Sequence, residues 1–260
     1  MSSKPNLQVI KIGGNVIDNP SALASFLTDF ASLEGPKILV HGGGKIATQI
    51  ATTMGVESQM IEGRRVTDEE SLRIVTMVYA GWINKSIVAD LQALSCNSLG
   101  LTGPDGGIVL SKKRASEPID YGFVGDIVSV NTDSLSGLLA AGFSLVLAPI
   151  TADGAGQLLN TNADTMAQAL AIALSSKYNV TLTYCFEKKG VLMDPTDDNS
   201  VISSINPASF QDLKEKGIVS EGMIPKLENA LKAISEGVSV VRLCHADNLQ
   251  IADIGTKISA

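Results

Sequence analysis

Histidine, cysteine, positive charge and long apolar runs are all scarce in this chain, and each scarcity removes a class of protein. Two histidines, His41 and His245, cannot build a His-rich metal site, and no residue is expected to ligate a metal. The three cysteines, Cys96, Cys185 and Cys244, are odd in number and widely separated, with no C-x-x-C spacing. They read as reduced thiols of a cytoplasmic protein. No apolar segment approaches the roughly 20 residues that span a bilayer, so no membrane association is expected. The first eight residues are polar and lack the apolar core of a signal peptide. A net charge of −7 argues against a nucleic-acid surface, although it leaves room for a local cationic pocket holding a small anion. No internal repeat or low-complexity tract is visible.

What is present is an ordinary globular composition, 45% apolar and 18% charged over 260 residues. That length holds one large domain or two closely joined lobes. The chain is organised around Lys37-Ile-Leu-Val-His-Gly-Gly-Gly-Lys45. Ile38, Leu39 and Val40 predict a strand buried on both faces of a parallel sheet. Three glycines follow, and then a helix over 45–54 closed by Gly55. One glycine would serve a tight connection. Three in a row before a helix N-terminus point to backbone N–H groups open to an anion.

A first strand over 7–12 ends in Gly13-Gly14, with Lys11 inside its apolar run, where a lysine is costly unless it finds a partner or water. Asn19-Pro20 opens a helix to about Leu33. Thr67-Asp-Glu-Glu70 predicts a capping box opening a long helical region to about Leu94, broken near Gly81. Strands are expected over 108–113, 122–130, 144–150, 180–186, 238–243 and 255–258. Helices are expected over 134–141, from Asn162 to about Leu174, over 207–216, after Ser220, and over 247–252. Strands alternating with helices mean an α/β fold with a largely parallel, helix-covered sheet. Tyr178, Tyr184, Trp82 and the methionines read as packing residues.

Familiar anion and nucleophile motifs fail. There is no G-x-x-x-x-G-K-[ST] and no G-x-G-x-x-G after a strand. His41-Gly-Gly-Gly44 could be the oxyanion-hole motif of an esterase, but no G-x-S-x-G elbow accompanies it. Two lysines are more telling. Lys11 ends a buried strand beside paired glycines, and Lys226 falls in or just before a helix's first turn, where the dipole disfavours a cation. Alone, each reads as a snorkelling lysine at the core edge. Together with the glycine turns and Asp164 at a helix N-terminus, they suggest cations around a phosphoryl group.

Five motifs then occur in order: Lys11-Ile-Gly-Gly-Asn15, His41-Gly-Gly-Gly44, Gly63-Arg-Arg-Val-Thr67, Asn160-Thr-Asn-Ala-Asp164 and Glu221-Gly-Met-Ile-Pro-Lys226. The set resembles the amino-acid kinase family, and within it the N-acylglutamate kinases, from about residue 8 to Ile258. The resemblance implies a carbamate-kinase-like fold and ATP-dependent phosphorylation of the γ-carboxylate of N-acetyl-glutamate, or of the N-succinyl compound, in arginine biosynthesis. It implies an N-terminal lobe over 1–175 that binds substrate and dimerises, and a C-terminal lobe over 176–260 that binds ATP.

By the same resemblance, Lys11 and Lys226 contact the transferring phosphoryl group and Asp164 holds both lysines. Gly43, Gly44, Arg65 and Asn160 hold the substrate. Gly14, Glu187, Lys188, Lys189, Gly190, Val191, Leu192, Ile218, Val219 and Ser220 serve the nucleotide, with Mg2+ riding on ATP. The bland alternatives are a dipole acid for Asp164, a solvated cation for Arg65 and a turn former for Asn160.

The chain departs from the family at two places. The nucleotide loop reads Phe186-Glu-Lys-Lys-Gly190, with two added lysines, and Arg64 stands where the family commonly has an apolar residue of the acyl pocket. Arginine suits a carboxylate better than a methyl group, so Arg64 is a candidate contact to an acidic acyl group such as succinyl, unless it points outward. The short segment before the first strand resembles family members that are homodimers without arginine feedback. The rivals are a non-catalytic acylglutamate or arginine sensor of the same fold, and a kinase for acetylaminoadipate or aspartate.

Overall fold

A computed structural model of the chain describes residues 4–61, 64–194, 196–219, 223–251 and 253–260, with Arg64 described for its backbone only. In chain order the first elements are β1 (Asn6–Ile12), α1 (Gly14–Ile17), α2 (Pro20–Ser32), β2 (Lys37–His41), α3 (Gly44–Thr53), β3 (Met60–Ile61) and β4 (Arg64–Arg65). Next come α4 (Glu69–Thr76), a π-helical stretch (Met77–Ile83), α5 (Asn84–Ala93), β5 (Ser98–Leu101), β6 (Val109–Lys113), β7 (Gly125–Val130) and α6 (Thr132–Ala140). β8 (Ser144–Leu147), β9 (Ile150–Ala152), β10 (Leu158–Asn160), α7 (Ala163–Leu174) and β11 (Asn179–Phe186) follow. The chain closes with β12 (Ser204–Ile205), α8 (Pro207–Glu215), α9 (Ile224–Ser235), β13 (Val240–His245) and β14 (Thr256–Ile258).

Eight strands make the central sheet in the order β12-β14-β13-β11-β1-β2-β8-β5. Neighbours run parallel except β13 and β14. The α/β expectation therefore holds. Chain up to residue 175 supplies one half of this sheet and later chain the other, meeting where β1 pairs with β11.

Side chains alternate across each strand, so the sheet builds a core on both faces. Leu7 and Val9 enter one core, covered by α6, α7 and α9 through Leu135, Met166, Leu170, Leu174 and Leu227. Ile10 and Ile12 enter the other, under Phe26, Phe30, Leu72, Tyr79, Ile83 and Ile87. Full burial of each such side chain stabilises the fold by about 1.5–3 kcal/mol. Lys11 shares the parity of Leu7 and Val9 and so faces α7, at the open end of the strand. A smaller sheet, β10-β9-β6-β7, and the hairpin β3-β4 lie outside the main one. No described helix is long and apolar enough to cross a membrane.

The fold corrects several expectations. The 144–150 strand is two: β8 stays in the main sheet and β9 joins the small one. Pro149 between them has no N–H to continue a ladder. The capping residue of α4 is Asp68, whose carboxylate accepts from Ser71 N at 2.7 Å, and not Thr67. Thr67 is committed elsewhere, its backbone pairing with Tyr121 O and Phe123 N. Gly81 does not break the helix; the hydrogen bonds widen into the π-helical stretch instead. The helix expected over 247–252 is a short 3-10 turn, Ala246–Asn248. Trp82 is 68% exposed, and Met54, Met60, Met77 and Met193 are also exposed, so they do not pack, whereas Met166 is buried.

Candidate active site

The site begins where β1 and β2 end. The strands are parallel neighbours with Ile12 opposite His41, so their two glycine turns leave the sheet side by side. Gly42 N donates to Ile12 O at 3.1 Å and ties the turns together. Gly43 has φ +144°, and a Cβ there would lie 2.3 Å from Ile83 Cδ1, so only glycine fits. α1 and α3 start at these turns with no side-chain cap. By contrast α2, α4, α6, α7 and α8 each carry an Asn or Asp cap. The uncapped N–H groups beside the turns are free for an anion.

His41 is hydrogen-bonded to the second turn. It is fully buried, with Nδ1 2.8 Å from Gly42 O and Nε2 3.2 Å from Asn84 Nδ2. A carbonyl can only accept and an amide N–H only donate, so the proton sits on Nδ1. Burial pushes the imidazole pKa down to about 4, and it is neutral at pH 7.

Lys11 reaches from β1 to the first turn of α7, where its Nζ pairs with Asp164 Oδ1 at 2.8 Å. Asn162 caps that helix, accepting from Thr165 N at 3.0 Å, and so sets Asp164 in its first turn. Lys226 stands in the first turn of α9, its Nζ 5.7 Å from the Phe186 ring centroid. Lys11, Asp164 and Lys226 line one cleft, with Tyr184, Phe186 and Asn229. The family resemblance implies that Asp164 holds both lysines. Among the described residues its ion pair is with Lys11 alone.

Tyr184, which reads from the sequence as a packing residue, borders this cleft. Its hydroxyl donates to the Asp164 backbone carbonyl at 3.4 Å. Burial, and then the Asp164 charge, raise its pKa, so it stays a neutral phenol. The strand alternation that turns Lys11 toward α7 also turns Tyr184 there, since the two are register partners. That is the signal a sequence reading could have used.

A second cavity adjoins the cleft, sharing Lys11, Asn162 and Thr165 with it. It is lined by Gly14, Gly43, Gly44, Arg65 and Asn160, which brings Gly14 in among the expected substrate residues. Buried Arg65 donates to Ser58 Oγ at 2.6 Å, Gly44 O at 2.9 Å and Thr48 Oγ1 at 2.7 Å. These acceptors are neutral, so no carboxylate among the described residues balances its charge. Burial raises the pKa of neighbouring Tyr79 despite the opposing pull of Arg65. Asn160 Nδ2 donates to Thr67 Oγ1 at 3.0 Å. Arg114, to which no sequence motif points, also lines this cavity. The side chain of Arg64 lies outside the described residues.

A third groove is lined by Lys188, Gly190, Val191, Leu192, Ile218 and Val219, with Met223 before α9. Glu187 and Lys189 do not line it, and Ser220 lies outside the described residues. The two added lysines are engaged across the loop, Lys188 with Asp198 at 2.8 Å and Lys189 with Asn199 at 3.0 Å.

Glycine turns at the carboxyl ends of parallel strands, beside a lysine–aspartate pair and a second lysine in one cleft, define an α/β protein built to handle anionic groups. The chain belongs to the Amino acid kinase family, which it matches over residues 6–245. It is 55% identical to the acetylglutamate kinase of Cytophaga hutchinsonii, over 98% of each chain. It is 52% identical to that of Bacteroides fragilis, over 98% of this chain and 97% of the relative. Among solved structures it resembles the N-acetylglutamate synthase of Neisseria gonorrhoeae, crystallised with coenzyme A and N-acetyl-glutamate. That likeness has a TM-score of 0.81 at 20% identity, and covers 99% of this chain but 60% of the synthase chain.

Proposed function

We propose that the protein is an acetylglutamate-type kinase, transferring the γ-phosphoryl group of ATP to the γ-carboxylate of an N-acylglutamate in arginine biosynthesis. The observation that carries this reading is the convergence of Lys11 and Lys226, remote in sequence, on one cleft with Asp164. Relatives above 50% identity over nearly the whole chain, named acetylglutamate kinase, support it.

The chemistry follows from the charges. A γ-carboxylate has a pKa of about 4.3 and is ionised at neutral pH, so it needs no general base. One carboxylate oxygen attacks the γ-phosphorus; the new C(O)O–P bond forms as the bond to the β-phosphate oxygen breaks, and ADP leaves with that electron pair. The obstacle is bringing one anion onto another. Lys11 and Lys226 offset that repulsion and follow the charge as it moves to the leaving group. Asp164 acts as an organiser: its carboxylate fixes the Lys11 ammonium and takes no proton.

The chain up to residue 175 holds the acylated amino acid, with Arg65 on the α-carboxylate, Asn160 on the acylamino group and the N–H groups of Gly14, Gly43 and Gly44 on the accepting carboxylate or the phosphates. The chain from residue 176 binds ATP along the groove from Lys188 to Val219, with α9 leading from that groove to Lys226. Mg2+ would be carried mainly by ATP itself and would supply neutralisation of the phosphate charge. Among the described residues no group of three His, Cys, Asp or Glu side chains offers it a protein site. The protein works in the cytoplasm as a homodimer, a reading supported by three buried free cysteines and by Trp82 and Met77 exposed on one helical stretch.

The test is incubation of the purified chain with ATP, Mg2+ and N-acyl-L-glutamates in hydroxylamine, which converts an acyl phosphate to a coloured hydroxamate. Hydroxamate and ADP should appear in equal amounts. Binding of acylglutamate without ATP consumption would instead mark a sensor.

A further inference from the structure

Arg114 carries a feature that nothing in its own surroundings explains. It follows β6, its backbone N–H donating to Val124 O at 2.8 Å. Its Nε and Nη2 both turn to a single oxygen, Asp126 Oδ1, at 3.0 and 2.5 Å, and the guanidinium stands 5.5 Å from the Tyr121 ring centroid. Its Nη1 is buried and has no hydrogen-bond partner among the described residues. A buried guanidinium N–H without an acceptor is costly, and native proteins rarely keep one. Arg114 lines the cavity of Arg65, Asn160 and the glycine turns, so a ligand bound there is a candidate source of that acceptor.

The charges of that cavity say which acceptor. Its described lining includes three cations, Lys11, Arg65 and Arg114, and no carboxylate; the acids that pair with Lys11 and Arg114, Asp164 and Asp126, do not line it. On the proposed kinase reading, on which this inference rests, Lys11 attends the phosphoryl-accepting carboxylate and Arg65 the α-carboxylate. That accounts for both negative charges of an acylglutamate with a neutral acyl group, and leaves Arg114 as the remaining cation of the described lining for the third substituent. An acyl methyl offers a guanidinium nothing, whereas a carboxylate matches its fork of donors.

We propose that Arg114 is a specificity-determining residue that binds a carboxylate on the acyl group, so that the preferred substrate is a dicarboxylic N-acyl-L-glutamate such as N-succinyl-L-glutamate. Asp126 holds Nε and Nη2 and leaves Nη1 for the ligand.

The experiment compares kcat/KM for N-succinyl- and N-acetyl-L-glutamate in the hydroxamate assay, for the wild-type chain, Arg114→Gln and Arg114→Lys. The ratio of the two values within one preparation does not depend on the folded fraction, so partial misfolding of a variant leaves the comparison intact. The wild type should favour the succinyl compound by at least about tenfold, the scale of one charge-assisted hydrogen bond. Arg114→Gln should collapse that ratio toward unity, mainly through KM of the succinyl substrate, and Arg114→Lys should restore part of it. Preference for the acetyl compound, or an unchanged ratio in Arg114→Gln, overturns the assignment while leaving the kinase reading standing. Phosphorylation of neither compound overturns the kinase reading, and this inference with it.

Discussion

Acid should unfold this protein partly through one imidazole. His41 is fully buried, with Nδ1–H given to Gly42 O and Nε2 occupied by an Asn84 N–H. Protonating Nε2 would place two donors face to face in a site without water. The pKa accordingly falls from 6.5 to about 4. Since the folded value lies below the unfolded one, the unfolded chain takes up the proton first as pH drops. His41's contribution is therefore fully present above about pH 6.5, and is lost progressively as pH falls to about 4. Two and a half pH units at ~1.36 kcal/mol each amount to about 3 kcal/mol, a large share of the 5–15 kcal/mol typical of a folded protein. Urea denaturation at pH 7.5, 6, 5 and 4.5 measures it. Relative to its own stability at pH 7.5, His41→Asn should lose less than the wild type, by up to about 1.4 kcal/mol per pH unit below 6.5. Parallel pH profiles for the two proteins would refute the argument.

Two further perturbations test the frame around the site. Gly43→Ala should destabilise by about 2–5 kcal/mol in urea denaturation, because φ +144° and the 2.3 Å approach to Ile83 act together, and should abolish kinase activity. Arg242, buried on β13, donates to the backbone carbonyls of Asn248, Leu249, Ile251 and Ile254. Lysine cannot reproduce that fork, so Arg242→Lys should cost about 3–5 kcal/mol and lower the thermal midpoint accordingly.

Much of this site is legible in the sequence, for physical reasons. Glycine runs after β-branched strands report backbone geometry directly, and an asparagine before an apolar helical stripe reports a cap, so both turns and the start of α7 can be read from residue types. Lys11 announces itself because a lysine within a buried strand needs a partner, and Asp164 is that partner at 2.8 Å. Arg114 gave no such signal: it ends a Lys-Lys-Arg run, which reads as solvated charge until the fold turns its third member inward. β5, with the sequence Ser-Leu-Gly-Leu, and the two-residue strands β3, β4 and β12 lack a hydrophobic period and exist only through their neighbours. The π-helical stretch is equally silent, because nothing in the residue types of Met77–Ile83 distinguishes a widened turn from an α-helical one.

Two ammonium groups acting on one phosphoryl group are the core of this account, and steady-state kinetics on Lys11→Ala and Lys226→Ala test them most directly, with acylglutamate binding measured separately by calorimetry. Each variant should lose at least about 100-fold in kcat while its dissociation constant for acylglutamate moves by less than about fivefold, as expected when charge stabilisation is removed from the transition state alone. Turnover near the wild-type rate in either variant would take that lysine out of the reaction and contradict the account.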